Sequence, residues 1–220
     1  MQALFDLLAT LSFWALTLYE WIIIIAILVT WVSADPRNPI VQFLNNMTVP
    51  FWDWLGRWLP RPVKLFRAYI SLLVIWFLQV FVPGVLRTVG GVFGGQVGLV
   101  GFPVHVVGYF LLGLGIVLQN LFFFLILLLL IWFFLTLINP SLNNPIVRTI
   151  AMLVDPFITP FQRRLPRMRV DVSPLLAAGV FLLLNVFVVS QLIGFSHALT
   201  GPGMTPGGGG VRLMLQAASP

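Results

Sequence analysis

The chain has no cysteine, only two histidines and very little charge. Without a thiol it forms no disulfide, no thiolate metal site and no covalent c-type haem attachment. Charged residues make up 8% of its 220 residues, against about 25% in a soluble globular domain. A chain this poor in charge and 60% hydrophobic cannot hide its apolar surface in one core, so its solvent is lipid. The N-terminus lacks a basic n-region, so Met1–Trp14 is read as the start of a first span and not as a cleaved signal peptide. The glycine-rich stretch GGVFGGQVGLVGFP, Gly90–Pro103, lacks the lysine and the strand context of a phosphate-binding loop. No nucleophile–base pair stands out either. No catalytic residue, metal or cofactor is expected, and the protein is read as non-enzymatic.

Four long apolar stretches are present: Leu7–Val32, Ala68–Leu86, Val104–Ile138 and Leu175–Phe195. About 20 apolar residues cross a bilayer. The third stretch would be about 52 Å long as a helix, enough for one protruding span or two short ones. Charge placement decides. Ten basic residues, Arg37 to Arg67 and Arg148 to Arg169, lie in the two connections after the first and third stretches; only Arg87 and Arg212 lie elsewhere. Four spans put both basic connections on one face, a strong positive-inside signal; five would cancel it. The expectation is four spans in the inner cell membrane, with both basic connections cytoplasmic and both termini outside. The net charge of +6 is then juxtamembrane and matched to anionic lipid, not to nucleic acid.

The chain also repeats itself. Asn38–Pro60 (NPIVQFLNNMTVPFWDWLGRWLP) and Asn144–Pro166 (NPIVRTIAMLVDPFITPFQRRLP) align without a gap at an offset of 106 residues. Each begins with Asn followed by Pro, a helix cap and a first-turn proline. Pro50 is expected to end one short helix and start another. Ile40, Val41, Phe43, Leu44 and Met47 read as one apolar face of the first. Short amphipathic helices carrying Trp and Arg suit the membrane interface. The fold class is thus all-α integral membrane: two parallel repeats, each helix, interfacial amphipathic segment, helix. Residues 1–88 form the first repeat, 89–103 a glycine-rich outer loop, 104–196 the second repeat and 197–220 a flexible Gly/Pro-rich tail.

These residues resemble a known family. WVSADPRNPIVQFLNNMTVPF, NNPIVRTIAMLVDPFITPFQRRLP and VDVSP are similar to the YggT family, which includes YlmG and its plastid relatives. The second copy matches the family pattern at Pro145, Ile146, Asp155, Pro156, Pro160, Arg163, Arg164, Pro166, Asp171, Ser173 and Pro174. The first copy departs from it, with Val49 for the acid, Trp54 for the second proline and LFRA (Leu65–Ala68) for the Asp-x-Ser-Pro. The resemblance implies a non-enzymatic scaffold or assembly factor tied to cell division or to cytochrome biogenesis. A small transporter or channel component in osmotic response is the alternative.

Two groups of site residues follow. Arg57, Arg163, Arg164, Asp171 and Ser173 read either as lipid anchors and helix caps or as the binding surface for a membrane-protein partner or a second copy. Ser173 followed by Pro174 reads as an N-cap, with Asp171 pairing to Arg167 or Arg169. Inside the spans lie Glu20, Gln79, Asn120 and Asn185. Gln79 and Asn185 are also 106 apart, and each amide needs a partner, the other one or a backbone group. Glu20 has no basic residue in any span to neutralise it, so it is either bonded between helices or a proton or ion site. His105 and His197 have no flanking ligands and are not read as a metal or haem pair.

Overall fold

Helices form where the hydropathy runs long and stop where local chemistry ends them. The computed structural model describes residues 1–60, 66–138, 144–163 and 171–200. Four helical stretches are long and apolar enough to cross a bilayer: α1 (Gln2–Trp31), α3 (Arg67–Phe93), α4 (Gly101–Ile138), and α6 (Ser173–Leu184) continued through a π-helical turn (Asn185–Val189) into α7 (Ser190–Thr200). Between them lie two amphipathic helices, α2 (Pro39–Trp58) and α5 (Pro145–Gln162). No strand occurs among the described residues. The third apolar stretch is one uninterrupted helix of 38 residues.

Three points bear on the sequence expectation. First, α3 does not stop at Leu86. It runs through Pro83, Arg87, Gly90 and Gly91 to Phe93, so the turn into α4 is short. Close packing explains the glycines. A Cβ on Gly90 would lie 2.7 Å from Phe5 Cβ, and Phe5 and Phe93 stack with ring centroids 5.6 Å apart. The helix ends when Gly95 turns to φ +70, a conformation suited to glycine, and Gln96 N–H closes back onto the Gly91 carbonyl. Ser33 does the same for α1 at φ +54, without glycine's freedom. Second, Asn144 is the residue before α5, and each amphipathic helix starts as expected: Asn38 and Asn144 accept the N–H of Ile40 and Ile146 at 2.9 Å. Third, Pro50 does not break α2, and Pro156 and Pro160 do not break α5.

The prolines are tolerated because of where they point. Pro50, Pro156 and Pro160 are exposed, as are Asn46, Met152 and Pro156, the residues four positions earlier whose carbonyls lose a donor. The lost hydrogen bond therefore falls on the outer face. The inner face stays continuous across the proline: Val41, Leu44, Thr48, Trp52 and Leu55 are buried in α2. Each such large apolar side chain contributes about 1.5–3 kcal/mol when buried. One unbroken stripe of them outweighs the ~3 kcal/mol cost of an interior proline. Of the residues read as one apolar face, Val41 and Leu44 are buried, whereas Ile40, Phe43 and Met47 are exposed. The same stripe recurs in α5 as Val147, Ile150, Val154 and Ile158, each 106 residues beyond its counterpart.

The described chain forms two compact units, and each draws on both sequence repeats. Unit one comprises Met1–Trp21, Leu72–Val117 and the segment from Val189; unit two comprises Ile22–Ser71 and Leu118–Val188. In unit one Val80, Tyr109 and Leu112 are buried together, with Ile116 and Ile193 against them. Unit two holds both amphipathic helices. Its core joins Leu128 and Leu129 of α4, Ile150, Val154 and Ile158 of α5, and Ala177 and Ala178 of α6.

Gly90→Ala is expected to destabilise the protein by about 1–3 kcal/mol, the range for overpacking a tight contact. Gly179→Ala, with nothing within 4 Å of its added Cβ, should stabilise α6 by up to ~1 kcal/mol. Thermal unfolding of the two variants in one detergent measures the difference; equal melting temperatures would mean that α3 does not lie against Phe5.

Candidate functional site

Glu20 finds its partners on α3. Trp76 Nε1 donates to Oε1 at 2.7 Å and Gln79 Nε2 donates to Oε2 at 2.6 Å. Trp76 and Gln79 are three residues apart, so they project from one helix face. Both distances are short for N–H···O hydrogen bonds. The carboxylate is thus held by two neutral donors within unit one. Gln79 gives its amide to Glu20, which answers the question of that side chain's partner. Asn120 and Asn185 belong to unit two; Asn120 is half-buried on α4, and Asn185 is buried and opens the π-helical turn. His105 Nδ1 lies 2.8 Å from the Gly101 carbonyl oxygen in the first turn of α4. Among the described residues there is no cluster of three or more metal-ligating side chains.

In unit two, a carboxylate fastens each amphipathic helix to the span that follows it. In copy one the carboxylate is on α2: Asp53 accepts from Arg67 of α3 at 2.6 Å. Trp52 adds a second tie, its Nε1 donating to Ser71 Oγ at 2.9 Å, and Trp31 Nε1 donates to the Tyr69 hydroxyl at 2.8 Å. In copy two the carboxylate is on the other side. Asp171, just before α6, accepts from Gln162 Nε2 of α5 at 2.6 Å through Oδ2, and from the Ser173 N–H at 2.9 Å through Oδ1.

This corrects the cap assignment. Asp171 takes the free N–H at the start of α6, while Ser173 is 1% exposed and packs inside. Asp171 cannot be described as paired with Arg167 or Arg169, because those residues, like Arg164, lie outside the described residues. Partial burial pushes the Asp171 carboxyl up, but hydrogen bonds from the Ser173 side chain, Gln162 and the Ser173 backbone outweigh it, and the net shift is downward from 3.8.

The outer face of α5 carries an open groove of about 480 Å³ lined by Asp155, Pro156, Thr159, Pro160 and Arg163. Thr159 Oγ1 donates to Asp155 Oδ1 at 3.2 Å. Arg163 caps the helix, its N–H turned back to the carbonyls of Phe161 and Thr159. The positions 106 earlier are Val49, Pro50, Asp53, Trp54 and Arg57. Copy one therefore lacks the first acid, and its Asp53 is already engaged with Arg67.

Four apolar spans, two proline-bearing amphipathic helices and the Asp-x-Ser-Pro turn are matched by a family model described as CCB3/YggT, over residues 1–89 and 111–192. The chain belongs to the CCB3/YggT family. It is a multi-pass membrane protein. It is similar to the uncharacterized protein PA0392 of Pseudomonas aeruginosa, with 24% identity over 186 residues that cover 84% of this chain and 87% of that one. No solved structure matches it.

In this CCB3/YggT protein the geometry explains one motif. Asp171-Val172-Ser173-Pro174 is a turn in which the acid both caps α6 and holds the end of α5. Trp76, Gln162 and Thr159 are site residues that the sequence pattern did not single out, and Asp155 stood in it only as a motif residue. Trp76 gave no signal, since a tryptophan in a span reads as apolar. The spacing of Asp155, Thr159 and Arg163 at four residues was a visible one.

Asp171→Ala is expected to cost about 1 kcal/mol, the usual loss for a helix cap. Because the folded carboxyl is shifted downward, its contribution is fully present above pH ~3.8 and fades as pH falls through the lower folded value. Melting curves should therefore show a constant gap between wild type and variant above pH 3.8 that begins to close below it. A gap that stays constant below pH 3.8 as well would exclude this role for Asp171.

Proposed function

We propose that this protein is a non-enzymatic membrane scaffold or assembly factor of the inner cell membrane. Its basic connections face the cytoplasm and its termini lie outside. The partner is another membrane protein or a second copy, and anionic lipid surrounds the basic face. Ten of twelve basic residues in two connections support the orientation. The observation that carries the scaffold reading is the Asp171 knot. It holds the C-terminal end of α5, and with it Arg163, against the first turn of α6. Arg163 is thereby presented from a fixed frame. The copy-one counterparts of Gln162 and Asp171 are Gly56 and Leu65, which cannot form such a knot.

Glu20 supports the alternative of a small transporter or channel component, since an ionisable residue in a span is a functional candidate. Its two hydrogen bonds favour a structural role here: both oxygens are already occupied by donors from α3.

Crosslinked capture from the native membrane distinguishes the two. Arg163→Ala with Arg164→Ala should abolish capture at unchanged abundance, and Arg57→Ala should do much less. A defect from Glu20→Gln alone, with the arginine variants silent, would reverse the choice in favour of transport. Orientation has its own test, made clean by the absence of native cysteine. A cysteine introduced at Asn46 or Met152 should be labelled only from the cytoplasmic side; labelling from outside rejects the arrangement.

A further inference from the structure

Asp155 belongs to two hollows in unit two that differ in chemistry. The larger is the groove already described, with Thr159 and Arg163. The smaller, about 240 Å³, is walled by Trp132 of α4 and by Ala151, Met152, Ile158 and Gln162 of α5. We propose that the two together hold one phospholipid whose zwitterionic headgroup carries a primary ammonium, as in phosphatidylethanolamine. The inference rests on the preceding reading in one respect, that α5 lies at the membrane surface.

Each part of such a lipid has a counterpart. Trp132 sits on a span, so the smaller hollow opens where acyl chains run, and its wall is mostly apolar. Arg163 offers a planar guanidinium, which binds phosphate through two parallel N–H bonds. Asp155 supplies the opposite charge for the ammonium. Thr159 occupies only one oxygen of that carboxylate and steadies it.

Two further acceptors come from the prolines. Pro156 and Pro160 have no N–H, so the carbonyls of Met152 and Pro156 have no donor four residues on. Both residues line the hollows. A primary ammonium has three N–H donors. Asp155 lines both hollows, and one such carbonyl belongs to a lining residue of each. A trimethylammonium headgroup has no N–H to give, and a glycerol headgroup has no cation for Asp155. Copy one is an internal contrast: Val49 stands at the Asp155 position, and Asp53 is paired with Arg67.

The test uses the full chain in bilayer nanodiscs containing equal phosphatidylethanolamine, phosphatidylcholine and phosphatidylglycerol. After release into detergent, native mass spectrometry counts the retained lipids. Phosphatidylethanolamine should exceed each of the others by about fivefold, the factor that ~1 kcal/mol of exposed charge pairing gives. Asp155→Asn should bring it down to the phosphatidylcholine level. Arg163→Ala should lower retention of all three, and Asp53→Asn should leave the ratio as in wild type.

Equal retention by the wild-type protein overturns the proposal, as does a lead for phosphatidylglycerol, which would indicate basic residues gathering anionic lipid. A preference that survives Asp155→Asn overturns it too. If Asp155→Asn instead weakens crosslinked capture and leaves the lipid ratio unchanged, the groove seats protein and the proposal fails. Lipid ratio and partner capture are separate readouts, so either reading can fail while the other stands.

Discussion

Inside a bilayer there is no water to complete a hydrogen bond, so every polar group placed there must be satisfied by the protein itself. The arrangement of this chain follows from that constraint. Hydroxyls in the long helices bond to their own backbone: Thr17 to Phe13, Thr30 to Ala26, Thr88 to Gly84 and Thr200 to Ser196. The one acid deep in a span takes two donors from a neighbouring helix. Prolines in the amphipathic helices turn their freed carbonyls outward. Among the described residues, no buried side-chain nitrogen or oxygen is left without a partner.

The two sequence copies meet this constraint in different ways. Copy one uses polar ties. Thr48 is buried, Trp52 donates to Ser71, and Glu20 accepts from Trp76. At the positions 106 residues on, copy two has Val154, Ile158 with Ala177, and Ile126 with Leu182. Replacing both members of a buried hydrogen-bonded pair by apolar groups of similar shape is nearly neutral, whereas replacing one is costly. For Trp52–Ser71 and Glu20–Trp76 both members change together, while Gln79, the second donor to Glu20, keeps an amide counterpart in Asn185. What differs is the outer face. Copy one commits Asp53 to Arg67, while copy two moves its tie to Asp171 and keeps Asp155 on the open groove.

Much of the architecture was legible in the sequence because it rests on local signals. Hydropathy marked four long helices, and Asn38-Pro39 and Asn144-Pro145 marked the starts of α2 and α5. The errors have a common cause: each needed knowledge of a neighbour. Pro50 reads as a stop by itself, but the stripe from Val41 to Leu55 buried along α2 carries the helix through it. Gly90 and Gly91 read as loop until Phe5 is seen against the first and Val97 against the second. Ser173 has the residue type of a cap, yet it is buried and Asp171 does the work. For Glu20 the sequence search looked for a cation, and the structure supplied an indole and an amide. Which residues share the outer face of α5 was legible from spacing; the groove itself was not, because it depends on how α5 packs.

The Glu20 tie also sets an order of events during synthesis. Its donors, Trp76 and Gln79, lie 56 and 59 residues later in the chain. At about 5–20 residues per second, they leave the ribosome about 3–12 s after Glu20. For that interval α1 carries an acid that lipid alone cannot solvate. Until α3 arrives, Glu20 lacks the two donors that hold it in the folded chain. The tie can therefore close only after both α1 and α3 have been made, so it belongs to the pairing of the first two spans and not to either span alone.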